Sequence, residues 1–185
     1  MRFADITAHD DLGPCAGLQW LRKGEPNTSL SHSLNRGDEM KQTEYPRAFA
    51  RIRGGREWPM ICGTVTFTQR CDGVLVEAAL SGLPRTESGF FAFHIHEGGS
   101  CTGDGFPNTG GHFNPDGTEH PNHAGDLPPL MADFGNAYMK VLTGRFHVEQ
   151  IIGRTVILHS NPDDFHTQPS GNVGTMIACG VIQRI

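Results

Sequence analysis

The chain has 185 residues, 19% of them charged, and a net charge of -5, which fits one globular domain with a buried core. The 15 Lys and Arg residues form no basic run that could follow a phosphate backbone, which argues against a nucleic-acid partner. No apolar stretch approaches the eighteen or so residues of a membrane span. The start, "MRFADITAHDDLG", has acids where a secretory signal has basic and then apolar residues, which predicts a cytoplasmic protein.

Residues 1–45 show no sustained apolar periodicity. The stretch "KGEPNTSLSHSLNRGDEMKQTEYP" is polar and contains two prolines. We expect an N-terminal extension that is loosely structured or lies on the following domain, with a short helix over residues 15–22.

Alternating apolar and polar residues begin near residue 46 and predict a β domain over residues 46–185. "ICGTVTFTQR" and "VLVEAAL" are joined through Asp72-Gly73, a strong hairpin signal. The other strand candidates are "AFARIR", "FFAFHIHE", "NAYMKVL", "RTVILHS" and "TMIACGVI". Many short strands with 24 glycines and 12 prolines indicate an all-β Greek-key β-barrel or sandwich of about eight strands.

Two segments without strand character interrupt this pattern. The first runs from Glu97 to Asp133, and the second is "NPDDFHTQPSGNVG" between the last two strands. Ordered loops of that length in a compact domain usually carry function. We therefore expect the functional residues in these loops.

His94 and His96 form an H-x-H pair in the run "GFFAFHIHEGGSC". Residues two apart in a strand point to the same face, so both imidazoles project together while Phe93 and Ile95 point into the core. Taken alone the pair is a weak signal, because two half-exposed strand histidines would look the same.

The first long loop makes a metal site the better interpretation. It carries three histidines and one carboxylate within fifteen residues, a set that fits a closed four-coordinate zinc site: His112, His120, His123 and Asp126. With His94, His96 and His159, six of the ten histidines belong to this system. The other four are interpreted as ordinary surface or packing residues: His9, His32, His147 and His166.

Five stretches carry a specific resemblance: "FHIHE", "GGHFNP", "NHAGDLP", "IIGRTVILHSNPDDF" and "PSGNVGTMIACGVI". From about residue 46 to 183 the chain resembles the copper,zinc superoxide dismutase family. The resemblance implies copper ligands His94, His96 and His159, with His112 bridging copper and zinc as imidazolate. It implies that zinc is completed by His120, His123 and Asp126.

Further residues match family positions around these ligands. Asp163 stands where the family places a carboxylate that links a copper ligand to a zinc ligand. Cys101 and Cys179 occupy the positions of the family's intrachain disulfide, which we expect to be the only one. Cys15, Cys62 and Cys71 are then interpreted as buried or spare thiols. The ligand types also suit the ions, because imidazoles serve both copper oxidation states and zinc accepts a harder carboxylate.

Met176 departs from the family pattern. The family normally has an arginine there, three residues before the second disulfide cysteine, where it draws superoxide towards the copper. No Arg or Lys occurs between Thr155 and Gln183, and only His166 could supply a positive charge nearby. A thioether could alternatively act as a soft Cu(I) ligand. Packing of Met176 against the channel wall is the preferred interpretation.

Two functions are compatible with these residues. The first is a superoxide dismutase that converts superoxide to oxygen and hydrogen peroxide and is slow because of Met176. The alternative is a dismutase-like protein for copper and zinc storage or delivery, although the chain has no M-x-C-x-x-C copper site. The resemblance is compatible with either a monomer or a homodimer.

Overall fold

The computed structural model describes residues 45–185, and the expectations for residues 1–44, including the short helix and Cys15, lie outside the described residues. The described part is a closed barrel in which eight antiparallel strands follow the order β1-β2-β3-β6-β5-β4-β7-β8. The strands are β1 Arg47–Gly54, β2 Cys62–Arg70, β3 Gly73–Ser81, β4 Phe90–His96, β5 Asp126–Asp133, β6 Asn136–Thr143, β7 Thr155–His159 and β8 Met176–Arg184. This confirms the predicted all-β barrel.

The barrel closes because each strand presents one apolar face to a common interior. On β4, Phe91, Phe93 and Ile95 are fully buried in that core, as the alternation predicted. The β2–β3 hairpin turns at Asp72-Gly73, and its register runs from Arg70↔Gly73 to Cys62↔Ser81. None of the helices among the described residues is long and apolar enough to cross a bilayer.

The prediction that Glu97 to Asp133 contains no strand is wrong at its C-terminal end. Residues 126–133 form β5, which pairs with β4 on one side and β6 on the other. Pro128 and Pro129 lack the N–H groups that strand pairing needs, which concealed the strand. Its pairing with β4 shifts register between Phe91 and Phe93. The loop proper therefore spans residues 97–125.

A single helical turn, α1 Val148–Ile151, was not predicted. It buries Val148 and Ile151 in the core. Four residues are too few to leave a helical period in the sequence.

Candidate metal centre

Strand pairing brings the ends of three functional segments together. His94 on β4 lies opposite Asp126 on β5 and Ile157 on β7, and His159 ends β7 opposite Met176 on β8. His112 reaches the site through a backbone bridge with His96. The C-terminal ends of β4 and β7 thus supply His94, His96 and His159, and the loop over residues 97–125 brings His112 beside them.

The predicted ligands form two clusters that share one residue. In each cluster the potential ligand atoms lie within 4.8 Å of one another, and all of the side chains are buried. The first consists of His94, His96, His112 and His159, and the second of His112, His120, His123 and Asp126. All seven residues predicted as ligands are therefore brought together.

Hydrogen bonds to oxygen atoms that can only accept determine which ring nitrogen of each histidine keeps a lone pair for a metal ion. Asp163 accepts from Nε2 of His94 and from Nε2 of His120, both at 2.9 Å. The Gly110 carbonyl accepts from Nδ1 of His96 at 2.8 Å. The lone pairs therefore sit on Nδ1 of His94, on Nε2 of His96 and on Nδ1 of His120.

Buried nitrogens without hydrogen-bond partners lie at both clusters. Nδ1 of His94, Nε2 of His112 and Nδ1 of His120 are all buried without a hydrogen bond. Nδ1 of His120 lies 3.1 Å from Asp126 Oδ2 without hydrogen-bond geometry, as expected for two atoms directed at a common point. Since an unpaired buried polar atom is costly, these orphaned nitrogens fit residues arranged for metal ions.

His112 connects the clusters through opposite sides of its ring. Its Nδ1 lies 2.7 Å from Asp126 Oδ1 and 3.5 Å from Nδ1 of His123. Its Nε2 has no hydrogen-bond partner, and the rings of His94 and His112 are 4.0 Å apart. The arrangement allows one imidazole to serve two ions.

Burial favours the neutral form of three histidines of the first cluster, which is the form that binds a metal. It lowers the pKa of His94, against the opposing hydrogen bond from Asp163. It lowers the pKa of His96 to about 3 and that of His159 to about 2. Neutral imidazoles can coordinate a cation without first releasing a proton.

The two carboxylates are held in the anionic form. Burial alone would raise the pKa of Asp163, but hydrogen bonds from His94, the Phe165 backbone and His120 lower it to about 2. For Asp126, burial is likewise outweighed by the hydrogen bond and charge of His112, which lower its pKa. Asp163 lies in contact with a residue of each cluster, where it can orient both ligands.

The backbone at position 171 passes so close to the Asp163 side chain that only glycine fits there. A Cβ on Gly171 would lie 2.1 Å from Asp163 Oδ1 and 2.8 Å from His120 Nε2, and its φ is +79°. Gln168, in the same loop, exchanges two hydrogen bonds with the backbone of His120. The loop after β7 therefore holds His120, a residue of the second cluster, in place.

Met176 lines a pocket of about 440 Å³ together with His96, His112 and His159. Its thioether sulfur lies 3.3 Å from the hydroxyl of Thr109, which also lies 2.9 Å from the Phe106 carbonyl oxygen. Met176 also packs on the cluster formed by Phe106, Ile157 and Cys179. These contacts support the prediction that Met176 packs against the wall of the pocket.

The pocket has no positive side chain among the described residues that line it, and it includes the acid Glu97. A neighbouring cavity of about 280 Å³, which also reaches Met176, contains Arg56. Glu57 and Asp104 line the same cavity, so its acidic side chains outnumber its one basic side chain. His166, the predicted source of charge, is exposed and contacts Asp164.

Cys101 and Cys179 form a disulfide that ties the loop after β4 to β8 across 78 residues of sequence. The expectation that this is the only disulfide is wrong, because Cys71 is disulfide-bonded as well. Interpreting Cys71 as a spare thiol is therefore incorrect. Cys62 is a free, exposed thiol, as expected for a spare one.

The Cys101–Cys179 disulfide should contribute substantially to stability. In the loop-entropy view, replacing both residues by Ser lowers the free energy of unfolding by roughly 4 kcal/mol. Denaturant unfolding measures this, and Cys62→Ser, which removes only a free thiol, is the matched control. Wild-type stability in the double variant, or alkylation of Cys101 and Cys179 in the native protein, would contradict the assignment.

Arg145 is a site residue that the sequence did not reveal. Its Nη1 lies 2.9 Å, 3.1 Å and 3.3 Å from the carbonyl oxygens of Pro121, His123 and Asp126. One guanidinium group therefore holds together the turn that carries two members of the second cluster. Its acceptors are 19 to 24 residues away in sequence, and no local pattern links them.

Arg145→Met should loosen the second cluster. By analogy with groups that orient metal ligands, we expect about a 10- to 100-fold loss of zinc affinity, with partial recovery in Arg145→Lys. Transfer of zinc to a coloured chelator measures the affinity directly. Arg51→Met, a change at an exposed arginine on β1, is the control. Equal zinc transfer from Arg145→Met and the control would show that the three carbonyl contacts do not support the cluster.

Fold and clusters together define a β-barrel with two adjacent clusters of potential metal ligands that share one histidine. The family model described as copper/zinc superoxide dismutase matches residues 61–182. "Superoxide dismutase [Cu-Zn] 2" of Aquifex aeolicus is 36% identical over 138 residues, which cover 66% of this chain and 80% of the relative. "Superoxide dismutase [Cu-Zn]" of Caulobacter vibrioides is 34% identical, covering 65% and 78%. "Superoxide dismutase [Cu-Zn] 4" of Dictyostelium discoideum is 35% identical, covering 68% and 93%.

The chain belongs to the copper/zinc superoxide dismutase family. The family's cofactors are copper and zinc, and the two clusters provide a fitting set of ligands for both.

Proposed function

We propose that the chain converts superoxide to oxygen and hydrogen peroxide. In this proposal His94, His96, His112 and His159 hold copper, and His112, His120, His123 and Asp126 hold zinc. The observation that carries it is the position of His112, whose two ring nitrogens face two separate, buried ligand clusters. A single structural zinc site would not need the first cluster.

The assignment of each ion follows the donor atoms. The first cluster has four imidazoles and no carboxylate, a set that suits a copper ion changing its oxidation state. The second contains Asp126, the harder oxygen donor, which suits an ion without redox chemistry. Copper, when bound, supplies one-electron exchange, which oxidises one superoxide to oxygen and reduces a second to peroxide.

A residue of the chain can supply one of the protons that the formation of hydrogen peroxide requires. Two protons enter for each peroxide formed, and Nε2 of His112, which lines the pocket and has no internal partner, can hold one and deliver it. The Nδ1 side of the ring faces Asp126, so an ion held by the second cluster would help to fix the ring while Nε2 changes its proton. Asp163, anionic and bonded to His94 and His120, keeps the ligands on either side oriented.

We further propose that this dismutase is slow. Superoxide is a small anion, so its capture depends on the local electric field more than on shape. The pocket offers Met176 and Glu97 where a cation would attract the substrate. Asp164, partly exposed in the neighbouring loop, has its pKa lowered to about 2 by hydrogen bonds from Thr167, so it remains negative.

The alternative function is storage or delivery of copper and zinc with little catalysis. The observation that favours it is the same lack of a positive side chain among the described residues that line the pocket at Met176. Metal analysis of the purified protein alongside a superoxide-decay assay tests both. Decay that depends on copper content supports the dismutase, whereas full metal loading without faster decay supports storage.

Partners and location remain predictions. We propose superoxide as the substrate, a homodimer as the assembled form, and no nucleic-acid or membrane partner. The cytoplasmic location predicted from the first residues conflicts with the disulfide bonds of Cys71, Cys101 and Cys179, because disulfides are rare in reducing compartments. Fractionation of cells expressing the full chain decides the location.

A further inference from the structure

The pairing of β1 with β8 places an arginine beside Met176. One residue after β1 ends, the N–H of Gly55 donates to the carbonyl oxygen of Ile177 at 2.9 Å, which extends the pairing with β8. Arg56 follows Gly55, and Met176 precedes Ile177, so the two residues come next in the same antiparallel alignment. Both line the cavity of about 280 Å³ that adjoins the metal pocket.

Contacts of the β1–β2 turn hold Arg56 in this position. The N–H of Trp58 donates to the carbonyl oxygen of Gly55 at 2.9 Å, which closes the turn around Arg56. A Cβ on Gly55 would lie 3.3 Å from the ring of Phe106, so the backbone that precedes Arg56 passes directly against this ring. Phe106 packs in the same apolar cluster as Met176. Backbone hydrogen bonds and packing therefore set the position of Arg56 relative to Met176.

The positive charge of Arg56 is not cancelled by a direct ion pair. Arginine stays protonated over the whole pH range in which proteins are folded. In the described part of the chain, no carboxylate oxygen lies within 4.0 Å of its guanidinium nitrogens. Glu57 and Asp104 line the same cavity. They reduce the field of Arg56 without neutralising it by contact.

Arg56 is close enough to act on an anion that enters the metal pocket. Met176 lines both its cavity and the pocket that contains His159, and it is the residue of β8 that pairs with His159 on β7. Since neighbouring strands lie about 4.8 Å apart, the backbone of Arg56 is roughly 10 Å from that of His159. The Debye length is about 8 Å at 0.15 M salt and about 30 Å at 0.01 M. The charge therefore acts across this distance, most strongly at low ionic strength.

Apolar walls strengthen the field of this charge. Trp58 and Phe106 line the cavity together with Arg56 and Met176. Apolar side chains exclude high-dielectric water, and a cleft with such walls focuses the field of the charges in it. Arg56 is the one cation among the described residues that line either this cavity or the metal pocket.

We propose that Arg56 is a substrate-guiding residue, which draws superoxide and other small anions towards the copper ligands from a position next to Met176. The inference rests on the proposed dismutase function and names the residue that attracts the substrate when position 176 carries no arginine. The attraction is partial because Glu57 and Asp104 oppose it, which agrees with a slow enzyme.

Arg56→Gln should lower the second-order rate of superoxide decay about two- to fivefold at low ionic strength, as expected for one charge at this distance in partly aqueous surroundings. The rate of this variant should also rise more steeply with salt than the wild-type rate. Arg51→Gln is the matched control, since Arg51 is an exposed arginine on β1 that lines neither cavity. Arg56→Lys keeps the charge and should retain most of the rate, whereas Glu57→Gln removes an opposing charge and should raise it.

Azide provides a second measurement that needs no turnover, because it is a small anion that binds Cu(II). The copper- and zinc-loaded protein is titrated with azide, and the visible absorption of Cu(II) reports binding. The affinity for azide should be about two- to fivefold weaker in Arg56→Gln than in Arg51→Gln, since the same charge attracts both anions.

The two measurements separate the role of Arg56 from the dismutase function. Equal decay rates, salt profiles and azide affinities in Arg56→Gln and Arg51→Gln overturn the role of Arg56 and leave the dismutase function in place. Weaker azide binding in Arg56→Gln without catalysed decay in any variant supports Arg56 as the residue that guides anions and contradicts the dismutase function.

Discussion

Met176→Arg should raise the second-order rate of superoxide decay by about tenfold or more. An arginine there places a positive charge on the wall of a pocket whose described lining has none. Electrostatic focusing of this kind changes association rates by about 10 to 10³. The copper and zinc ligands are untouched, so the increase comes from capture of the anion rather than from the redox step.

The salt dependence distinguishes steering from other causes. An attractive field is screened by salt, so the Met176→Arg rate should fall with ionic strength, whereas the wild-type rate should be flat or rise. Met176→Gln is the matched control: it also loses the sulfur contact with Thr109 but adds no charge. An Arg variant with the rate and salt profile of the Gln variant would show that steering comes from elsewhere or that copper is not the reacting centre.

His112→Ala should have the largest effect on metal binding. It removes one ligand from each cluster and the only residue that the two clusters share. We expect zinc affinity to fall by at least 100-fold, together with a changed Cu(II) spectrum and loss of catalysed superoxide decay, because outer groups that merely orient ligands already account for 10–100-fold.

Metal titration and Cu(II) electron paramagnetic resonance measure these effects. His147→Ala, which removes an exposed histidine at the start of α1, controls for the loss of an imidazole elsewhere. Unchanged zinc occupancy and an unchanged Cu(II) spectrum in His112→Ala would rule out a shared ligand. Disordered protein in both variants would instead be visible in the far-ultraviolet spectrum.

The strands were predictable where apolar residues recur at every second position along the sequence. On β2 and β3, buried apolar residues alternate with more exposed ones because one face of each strand is buried. On β5, Pro128 and Pro129 suppress that signal, and long-range pairing with β4 forms the strand regardless. The strand forms through pairing with residues that are distant in sequence, and a short stretch of sequence does not reveal such pairing.

The residues of the candidate site likewise fall into those that a local sequence pattern predicted and those that it did not. His94 and His96 were readable because strand geometry puts residues two apart on one face, and the second cluster was readable from its compact spacing. Arg145 and Thr109 were not, because their partners are distant in sequence and are selected by the folded loops. The bond at Cys71 was missed for a related reason, since cysteine pairing depends on which parts of the chain meet.

Asp163 has a consequence for how the two metals enter the protein. Its carboxylate holds His94 on one side and His120 on the other, and His112 belongs to both clusters. An ion at either position therefore orders ligands that the other ion needs. Thermodynamic linkage is reciprocal, so the factor by which zinc tightens copper binding equals the factor by which copper tightens zinc binding. Scarcity of one metal in the cell would then limit the retention of the other.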